Sequence, residues 1–258
     1  MNLELQGKSA LVTGSTVGIG FAIAKLLVEE GATVIVNGRS QERVDKAVKA
    51  SGAAHGIAAD LATEAGALAV IERFPSVDIL VNNLGIFEPK AFDQITDDEW
   101  RRFFDVNVVS GVRLSRHYIG PMLQKNWGRI VFISSESALQ PPKEMMHYGM
   151  TKTAQLSVSR GLAEMTKGTA VTVNSVMPGP TSSEGVSSFI GALAKERGID
   201  GPAMEKEFFE KGRPGSLLQR FITPDEIAAV VAFVCSPLAA AINGSAVRAE
   251  GGVLQSIA

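Results

Sequence analysis

The sequence predicts an α/β protein built on a doubly wound parallel sheet of about seven strands, with helices on both faces. Two observations predict this fold class. Short runs rich in apolar and β-branched residues alternate along the whole chain with segments whose apolar residues recur at helical spacing. The runs are almost continuously apolar, which is typical of strands buried on both sides. Because no linker or repeat interrupts the alternation, we expect residues 1–258 to form a single domain.

The first half of the chain contains four of the predicted strands. They lie at 8–14, 32–38, 55–58 and 77–83, and the helices between them lie at 19–30, 41–50 and 63–74. A capping box follows, in which Thr96 and Glu99 can each satisfy a free amide of the other. It begins a long helix that is predicted to run through Asn107 to about His117.

The second half continues the alternation with one interruption. Strands are predicted at 128–135, 170–177 and 245–252, with a helix at 147–164 and a last helix that begins at a second capping box, 223–226. The interruption, about 179–222, carries glycines, prolines, charges and loosely spaced apolar residues. Connections of this length are usually functional, so we expect this segment, called the lid segment below, to close over an apolar ligand.

Composition excludes several classes of function. The net charge of -2 and the pI near 6.0 argue against nucleic acid or an anionic membrane surface as the partner. The chain has neither a signal-peptide pattern nor a run of about 18 apolar residues, so we expect a soluble, cytoplasmic protein. Cys235 is the only cysteine and is predicted to be buried and inert, and the three scattered histidines predict no metal site.

A glycine-rich loop joins the first strand to the first helix. Gly14, Gly18 and Gly20 are spaced as G-x-x-x-G-x-G within "TGSTVGIG". Glycine lets the backbone turn tightly and approach a pyrophosphate, which the free amides of a helix N-terminus can bind. An ordinary glycine-rich turn is the alternative. The strand before the loop, the helix after it and the length of the unit favour dinucleotide binding.

The end of the second strand indicates which dinucleotide. An NAD site usually has an acidic residue there for the ribose 2′-hydroxyl, whereas this chain has Asn37, Gly38 and Arg39 in "VNGRSQER". A guanidinium is suited to a 2′-phosphate, so the sequence predicts NADP(H). A solvated surface role for Arg39 is the alternative.

Tyr148 and Lys152 lie four residues apart at the start of the helix in "HYGMTKTAQLSVSRGLAE" and therefore share a helix face. A cation near a phenol stabilises the phenolate, and lowering a tyrosine pKa from about 10 to about 7 takes roughly 4 kcal/mol. Such a pair is usually only a half-buried ring beside a lysine. Ser135, thirteen residues earlier, ends the strand "IVFISS" at the edge where such sheets bind ligands.

Together these motifs resemble the short-chain dehydrogenase/reductase family. The resemblance rests on "TGSTVGIG", "NNLG", Asn107, "ISS", "YGMTK" and "PGPT" in this order and spacing, and it covers essentially the whole chain. It implies a Rossmann-type fold, NADP(H) as cofactor and a homo-oligomer, either dimer or tetramer. The helices near 100–117 and 150–167 would pair between subunits.

The resemblance also implies roles for individual residues. Tyr148 would be the general acid/base, Lys152 would lower its pKa and bind the nicotinamide ribose, Ser135 would orient the substrate oxygen, and Asn107 would hold a water in a proton relay. Ser134 is a rival to Ser135, but the alternation of a strand points it away from the site. Asp60 would bind the adenine amino group and Thr181 the nicotinamide carboxamide. The complete set of implied cofactor contacts is Gly14, Ser15, Thr16, Gly18, Ile19, Gly20, Asn37, Arg39, Asp60, Leu61, Asn83, Gly85, Tyr148, Lys152, Pro178, Gly179 and Thr181.

Some positions depart from the usual family pattern. Leu84 replaces a common alanine, Met150 and Thr151 replace small residues, and Glu250 replaces an aspartate. These departures affect substrate and subfamily and remove no group with a catalytic role.

The sequence therefore predicts an oxidoreductase that interconverts a carbonyl and a secondary alcohol, with medium-sized apolar ketones or 3-oxoacyl compounds rather than sugars as substrates. The stretch 136–146 is expected to line the pocket with mainly apolar side chains. A nucleotide-sensing regulator on the same fold is the main alternative, although a sensor needs no acid/base tyrosine. A nucleotide-sugar epimerase is a further alternative, which the one-domain length disfavours.

Overall fold

The computed structural model describes residues 2–257, apart from the side chain of Phe189. The strands are β1 (Ser9–Val12), β2 (Thr33–Gly38), β3 (His55–Ala58), β4 (Ile79–Asn82), β5 (Gly128–Ile133), β6 (Val171–Pro178) and β7 (Ala246–Ala249). The helices are α1 (Gly18–Glu29), α2 (Gln41–Ser51), α3 (Glu64–Arg73), α4 (Asp97–Phe104), α5 (Ser110–Lys125), α6 (Met146–Glu164), α7 (Glu184–Arg197), α8 (Gly201–Glu207) and α9 (Pro224–Cys235). The predicted alternation of strands and helices is confirmed.

The seven strands form one parallel sheet in the order β3-β2-β1-β4-β5-β6-β7. The chain reverses its direction of winding between β1 and β4, which are neighbours in the sheet. In such sheets a crevice forms at the carboxyl ends of the strands next to the reversal. Every segment predicted to bind cofactor or substrate follows the carboxyl end of a strand, so all of them meet at this edge.

Helices cover both faces of the sheet because successive strand residues point in opposite directions. In β4, Ile79 and Val81 pack in one hydrophobic core cluster with residues of α1 and α9. Leu80, between them, packs in a second cluster with residues of α3 and α5. The sheet is thus buried on both sides, as the continuous apolar runs predict.

The long helix after the first capping box extends further than the sequence predicts. It runs through α4, a π-helical turn at Asp105–Val109, and α5 as far as Lys125, rather than ending near His117. Pro121 lies inside α5 and does not end it. The helix ends at Asn126, which has a left-handed φ of 54°. Both capping boxes, at Thr96 and Thr223, are present as predicted.

The lid segment is largely helical. It contains α7, α8 and a π-helical turn at Phe208–Gly212. Ile190, Ala194 and Met204 form a small hydrophobic cluster there, separate from the two clusters that cover the sheet. The lid segment therefore has a minor core of its own.

Other expectations concern single residues and absences. Cys235 is buried in α9, as predicted, and burial raises the pKa of its thiol to about 12. Among residues 2–257, no helix is long and apolar enough to cross a membrane. In the same part of the chain, no three His, Cys, Asp or Glu side chains cluster as metal ligands would.

Candidate active site

The loop between β1 and α1 needs its glycines for its shape. Gly14 and Gly18 have φ angles of 59° and 60°, which residues with side chains rarely adopt. A Cβ atom on Gly20 would lie 2.4 Å from Asn83 Nδ2 and 2.7 Å from the Gly14 carbonyl oxygen. α1 begins after Val17 without a side-chain cap and without an acidic residue in its first turn. Its first amides and positive end therefore suit a phosphate group.

Asn83 braces this loop from the end of β4. Its Nδ2 donates to the carbonyl oxygens of Thr13 and Gly14, at 2.9 Å and 3.0 Å. The Thr13 hydroxyl oxygen accepts from the backbone amides of Asn83 and Leu84, both at 2.9 Å. Asn83 and the nearby Gly85 also border the cavity described below. The loop is thus fastened to the chain that follows the neighbouring strand β4.

Ser15 and Asn37 use their side chains within the protein. The Ser15 hydroxyl donates to the Val12 carbonyl oxygen at 2.6 Å and accepts from the Asn37 amide at 3.0 Å. Asn37 Oδ1 accepts from the Gly14 amide, and its Nδ2 donates to the carbonyl oxygens of Ile57 and Ala59. Because Asn37 is only 2% exposed, its carboxamide shapes the loop and leaves no group free for a ribose.

The residues placed by sequence at the adenosine end lie after β2 and β3. Arg39 is exposed, and within residues 2–257 it forms no ion pair or side-chain hydrogen bond. Thr16 packs against Gly38, where a Cβ would lie 2.5 Å from Thr16 Cγ2. Asp60 is exposed and accepts from the Ala62 amide at 3.1 Å, whereas Leu61 is buried. The carboxyl ends of β2 and β3 are therefore open to a ligand, and the Arg39 guanidinium lies beside them.

The two serines after β5 point to different partners. The Ser134 hydroxyl donates to the Lys152 carbonyl oxygen at 2.9 Å and fastens α6 to the sheet. The Ser135 hydroxyl donates to Glu136 Oε2 at 2.5 Å and accepts from the Ser137 amide at 3.1 Å. β5 ends at Ile133, so Ser135 begins a turn rather than ending the strand.

Tyr148 and Lys152 lie on the same face of α6, as their spacing predicts. Lys152 Nζ lies 5.4 Å from the centre of the Tyr148 ring. It donates to the Ile133 carbonyl oxygen at 2.9 Å and to Gln155 Oε1 at 3.3 Å. The edge of the Tyr148 ring packs on Phe87, with ring centres 6.4 Å apart. The lysine is fixed by groups other than the tyrosine.

The surroundings of Tyr148 shift the pKa of its phenol. Burial raises the pKa of the phenol above its ordinary value, and the Glu136 carboxylate raises it further, while the Ser135 hydroxyl acts in the opposite direction. Burial lowers the pKa of Lys152 to about 8, against the effect of Glu136. The expected lowering of the Tyr148 pKa by Lys152, helped by the positive charge of an oxidised cofactor, stays a prediction. The phenol stays protonated, which is the form that can donate a proton.

Asn107 lies in the π-helical turn, and its side chain is fully used. Its Oδ1 accepts from the Ile86 amide at 2.8 Å, and its Nδ2 donates to the Ile86 carbonyl oxygen and to Thr151 Oγ1, both at 3.0 Å. Its carbonyl oxygen accepts from Gln155 Nε2 at 2.6 Å. Any water held by Asn107 would share that carbonyl with Gln155.

Gln155 is a residue that the sequence reasoning missed. It accepts from Lys152 and donates to Asn107, so it connects two residues of the predicted set. Its position three residues after Lys152 places it on the same helix face, and this spacing was the available signal. Thr151, a departure from the family pattern, holds Asn107 from the same helix.

The chain after β6 passes close to the end of β7. A Cβ on Gly179 would lie 2.4 Å from the Glu250 carbonyl oxygen, so only glycine fits there. The buried Thr181 hydroxyl donates to the Gly179 carbonyl oxygen at 2.9 Å. Glu250, another departure, accepts from Arg248 Nε at 2.8 Å and keeps a buried carboxylate at this position. Pro178, Gly179 and Thr181 all border the cavity.

A cavity of about 520 Å³ opens where these segments meet. One wall comes from the sheet edge and α6, and includes Ile19, Gly85, Ser135, Tyr148 and Lys152. The opposite wall comes from the lid segment, and includes Val186, Leu193, Met204, Phe208 and Phe221. The lid segment also contributes Arg197, Glu207, Lys211 and Arg213 to the lining, so this wall is apolar only in part.

The stretch 136–146 lines the cavity only in part. Ser137 and Met145 border it, whereas Leu139 and Met146 are exposed. Glu136 also borders it, so this wall is less apolar than the sequence predicts. The charge arises because the turn after Ser135 directs Glu136 inward.

Comparison with known proteins identifies the family. A sequence model of the family described as short chain dehydrogenase matches residues 8–190. The chain belongs to the short-chain dehydrogenase/reductase family. The seven-stranded parallel sheet and the whole-chain similarity to members of this family agree with that assignment.

Individual relatives in this family match over the full chain. The oxidoreductase YvaG of Bacillus subtilis (strain 168) is 52% identical over 263 residues, covering 100% of both chains. The 3-oxoacyl-(acyl-carrier-protein) reductase FabG of Aquifex aeolicus (strain VF5) is 34% identical, covering 98% of this chain and 100% of its own. The crystal structure of L-sorbose reductase from Gluconobacter frateurii, complexed with NADPH and L-sorbose, superimposes with a TM-score of 0.93 and 29% identity over 100% of both chains. The protein is thus an oxidoreductase of this family by sequence and by fold.

Proposed function

We propose that this protein is an NADPH-dependent reductase that converts the carbonyl group of a small molecule to a secondary alcohol, and that catalyses the reverse reaction with NADP. One observation carries the proposal. Ser135, Tyr148 and Lys152 border the same cavity as Ile19 and Asn83 from the glycine-loop edge. A substrate and a nicotinamide can therefore meet beside the proton donor.

Each residue has a defined part in this reaction. The protonated Tyr148 phenol donates its proton to the carbonyl oxygen as the alcohol forms. The Ser135 hydroxyl orients that oxygen, and the Lys152 ammonium stabilises the phenolate that remains. NADPH, when bound, supplies the hydride that adds to the carbonyl carbon. Reduction needs the protonated phenol, the form that the raised Tyr148 pKa maintains.

The cofactor preference rests on the end of β2. The glycine loop and the uncapped start of α1 fit a pyrophosphate. Arg39 is exposed and unpaired within the described residues, and no carboxylate lies at the end of β2. The structurally similar L-sorbose reductase is complexed with NADPH, which supports the same cofactor here.

Ketones are the proposed substrates, with 3-oxoacyl compounds as the second candidate. The similarity to FabG of Aquifex aeolicus favours 3-oxoacyl compounds, and the similarity to L-sorbose reductase favours a hydroxylated ketone. A regulator that only senses the nucleotide is not supported. Such a protein would need no acid/base tyrosine, yet Tyr148, Lys152 and Ser135 are all in place.

The proposal extends to the cellular form of the protein. We infer a cytoplasmic homo-oligomer, dimer or tetramer, in which α4, α5 and α6 pair between subunits. Exposed apolar side chains near this face support it, since Phe104 is 40% and Met165 57% exposed. The lid segment would close over the bound substrate.

Steady-state oxidation of NADPH and NADH with a panel of carbonyl compounds tests the proposal. We expect NADPH to be preferred. Arg39→Ala should weaken NADPH binding by about ten- to a hundredfold, because charge-assisted hydrogen bonds contribute about 1.5–3 kcal/mol. Arg73→Ala, in the last turn of α3 at the opposite edge of the sheet, is the control. An NADPH to NADH ratio of kcat/KM near one would mean that Arg39 is only a solvated surface charge.

A further inference from the structure

A charged pair lies beside the proposed catalytic serine. It is separate from the other charges that the lid segment contributes to the cavity, since Arg197 and Lys211 form ion pairs with Glu207. Glu136 follows Ser135 directly, and its side chain is only 9% exposed. Its Oε2 accepts from the Ser135 hydroxyl at 2.5 Å. Within the described residues its Oε1 has no hydrogen-bond partner, and the nearest cationic atom is Arg213 Nε, at 3.7 Å. That distance is too long for a hydrogen bond.

Arg213 reaches this point from the lid segment. Its side chain is 15% exposed, and it borders the cavity together with Glu136. Its Nη1 donates to the Gly212 carbonyl oxygen at 2.8 Å and lies 3.8 Å from Glu144 Oε1. A guanidinium has five donors, and within the described residues only Nη1 of Arg213 has an acceptor. A buried acid and a buried cation thus meet at the substrate side without hydrogen-bonding each other.

A single hydroxyl group placed beside these two atoms can reach both of them. An oxygen placed about 2.8 Å from each atom, an ordinary hydrogen-bond length, would form a triangle on the 3.7 Å base between Glu136 Oε1 and Arg213 Nε. A hydroxyl can donate to the carboxylate and accept from the guanidinium at once. A substrate carboxylate would be repelled by Glu136, and a substrate ammonium by Arg213. An alkyl group would leave both buried charges without a partner, which is unfavourable.

The hydroxyl of Ser135 gives a second reason to expect a substrate hydroxyl beside Glu136. A serine has a single proton to donate, and here Glu136 accepts it. To donate to a substrate carbonyl, Ser135 must give up this bond. A substrate hydroxyl that donates to Glu136 in its place compensates the carboxylate and frees the serine. Because the two oxygens of Glu136 share one carbon, such a hydroxyl lies next to the carbonyl oxygen bound by Ser135.

We propose that Glu136 and Arg213 form a hydroxyl-binding subsite, and that the substrates of this enzyme are carbonyl compounds with a hydroxyl group on the adjacent carbon. This inference rests on the reductase function proposed above and names its substrate class. Glu136 binds the hydroxyl and selects the substrate, while Tyr148 and Ser135 act on the carbonyl oxygen.

A matched pair of ketones tests the subsite. In 1-hydroxyhexan-2-one and heptan-3-one, a hydroxyl group is exchanged for a methyl group at the same position. We expect kcat/KM with NADPH to be about ten- to a hundredfold higher for the hydroxyketone, the usual effect of a charge-assisted hydrogen bond. Ethyl acetoacetate, a 3-oxo ester without the hydroxyl, should behave like heptan-3-one.

Variants then assign the selectivity to Glu136. Glu136→Gln should reduce the ratio between the two ketones severalfold, and Glu136→Leu should bring it close to one. A merely structural role would lower both rates together and leave the ratio unchanged. Glu196→Gln makes the same change of charge at an exposed position of the lid segment and should leave the ratio as it is.

The outcomes separate this inference from the function on which it rests. A ratio near one in the unmodified protein, a better rate with the 3-oxo ester, or a ratio that survives Glu136→Leu overturns the subsite and leaves the reductase function standing. Absence of NADPH oxidation with every carbonyl tested removes the reductase function, and the subsite with it.

Discussion

The glycine-loop edge and the lid segment border the same cavity but are held together differently. At the loop, Asn83, Ser15 and Asn37 bind backbone groups through buried or partly buried hydrogen bonds. The lid segment has a small hydrophobic cluster around Ile190, Ala194 and Met204. The first turn of its helix α7 forms an ion pair with α2, and both side chains of that pair are exposed. Exposed ion pairs contribute little. If the proposed function is right, the chemistry takes place at the more firmly held edge, and we expect the lid segment to open at a lower cost in free energy.

We expect the largest effect from a substitution of the proposed proton donor. Tyr148→Phe removes the proton donor and leaves the packing of the ring, so we expect kcat for ketone reduction to fall about 10²- to 10⁴-fold. NADPH affinity, measured by fluorescence titration, should change little. Retention of near-normal turnover would mean that Tyr148 is there for packing, and that the chemistry lies elsewhere.

Core truncations compare the stability of the two regions directly. Leu27→Ala in α1, a fully buried residue of the sheet core, should lower the free energy of unfolding by about 2–5 kcal/mol. Met204→Ala, in the lid cluster, should lower the global value by less than about 1 kcal/mol, because the lid segment can open before the sheet unfolds. It should raise KM instead. Urea unfolding and steady-state kinetics measure the two quantities, and equal losses of stability would show that the lid segment unfolds only with the sheet.

Glycine-to-alanine substitutions, one in each region, compare the glycine loop and the lid segment further. Gly20→Ala places a methyl group against Asn83 and the Gly14 carbonyl, so we expect a loss of about 1–3 kcal/mol in stability and a clear loss of NADPH affinity. Gly191→Ala, in α7, meets no atom within 4 Å. It should stabilise the lid helix by up to about 1 kcal/mol, since alanine favours helix. Thermal unfolding of both variants checks the opposite signs.

A further effect is that of pH on the site lysine. The pKa of Lys152 is lowered by burial to about 8, so the charge that stabilises the phenolate is lost above that pH. We expect kcat/KM for reduction to fall about tenfold per pH unit beyond it. A profile that stays flat to pH 10 would contradict the assigned role.

The same group has a defined effect on stability. Its pKa of about 8 in the folded state lies below the ordinary value of 10.5, so the unfolded chain binds more protons between these values. The contribution of Lys152 to the free energy of unfolding therefore rises with pH from about 8 to about 10.5. Lys152→Met should abolish this part of the pH dependence in urea titrations.

The limits of sequence reasoning are visible at single residues. Asn37 was expected to face the cofactor because it ends β2, but its carboxamide joins the glycine loop to the chain after Ile57. Lys152 was expected beside the Tyr148 phenol, but Glu136, whose carboxylate raises the Tyr148 pKa, was not foreseen there. In each case the local position was predicted well. The partner of the side chain was not, because it comes from a distant part of the chain.

The sequence by itself determined the order of strands and helices, the glycine loop, the spacing of Tyr148 and Lys152, and the family. These features depend on periodicity and short motifs, which local residues encode. Only the tertiary structure decided that Gln155 connects Lys152 with Asn107, and that Arg213 meets Glu136 beside Ser135. Such contacts depend on how the lid segment and α6 pack on the sheet edge, and that packing places groups together which no spacing along the chain relates.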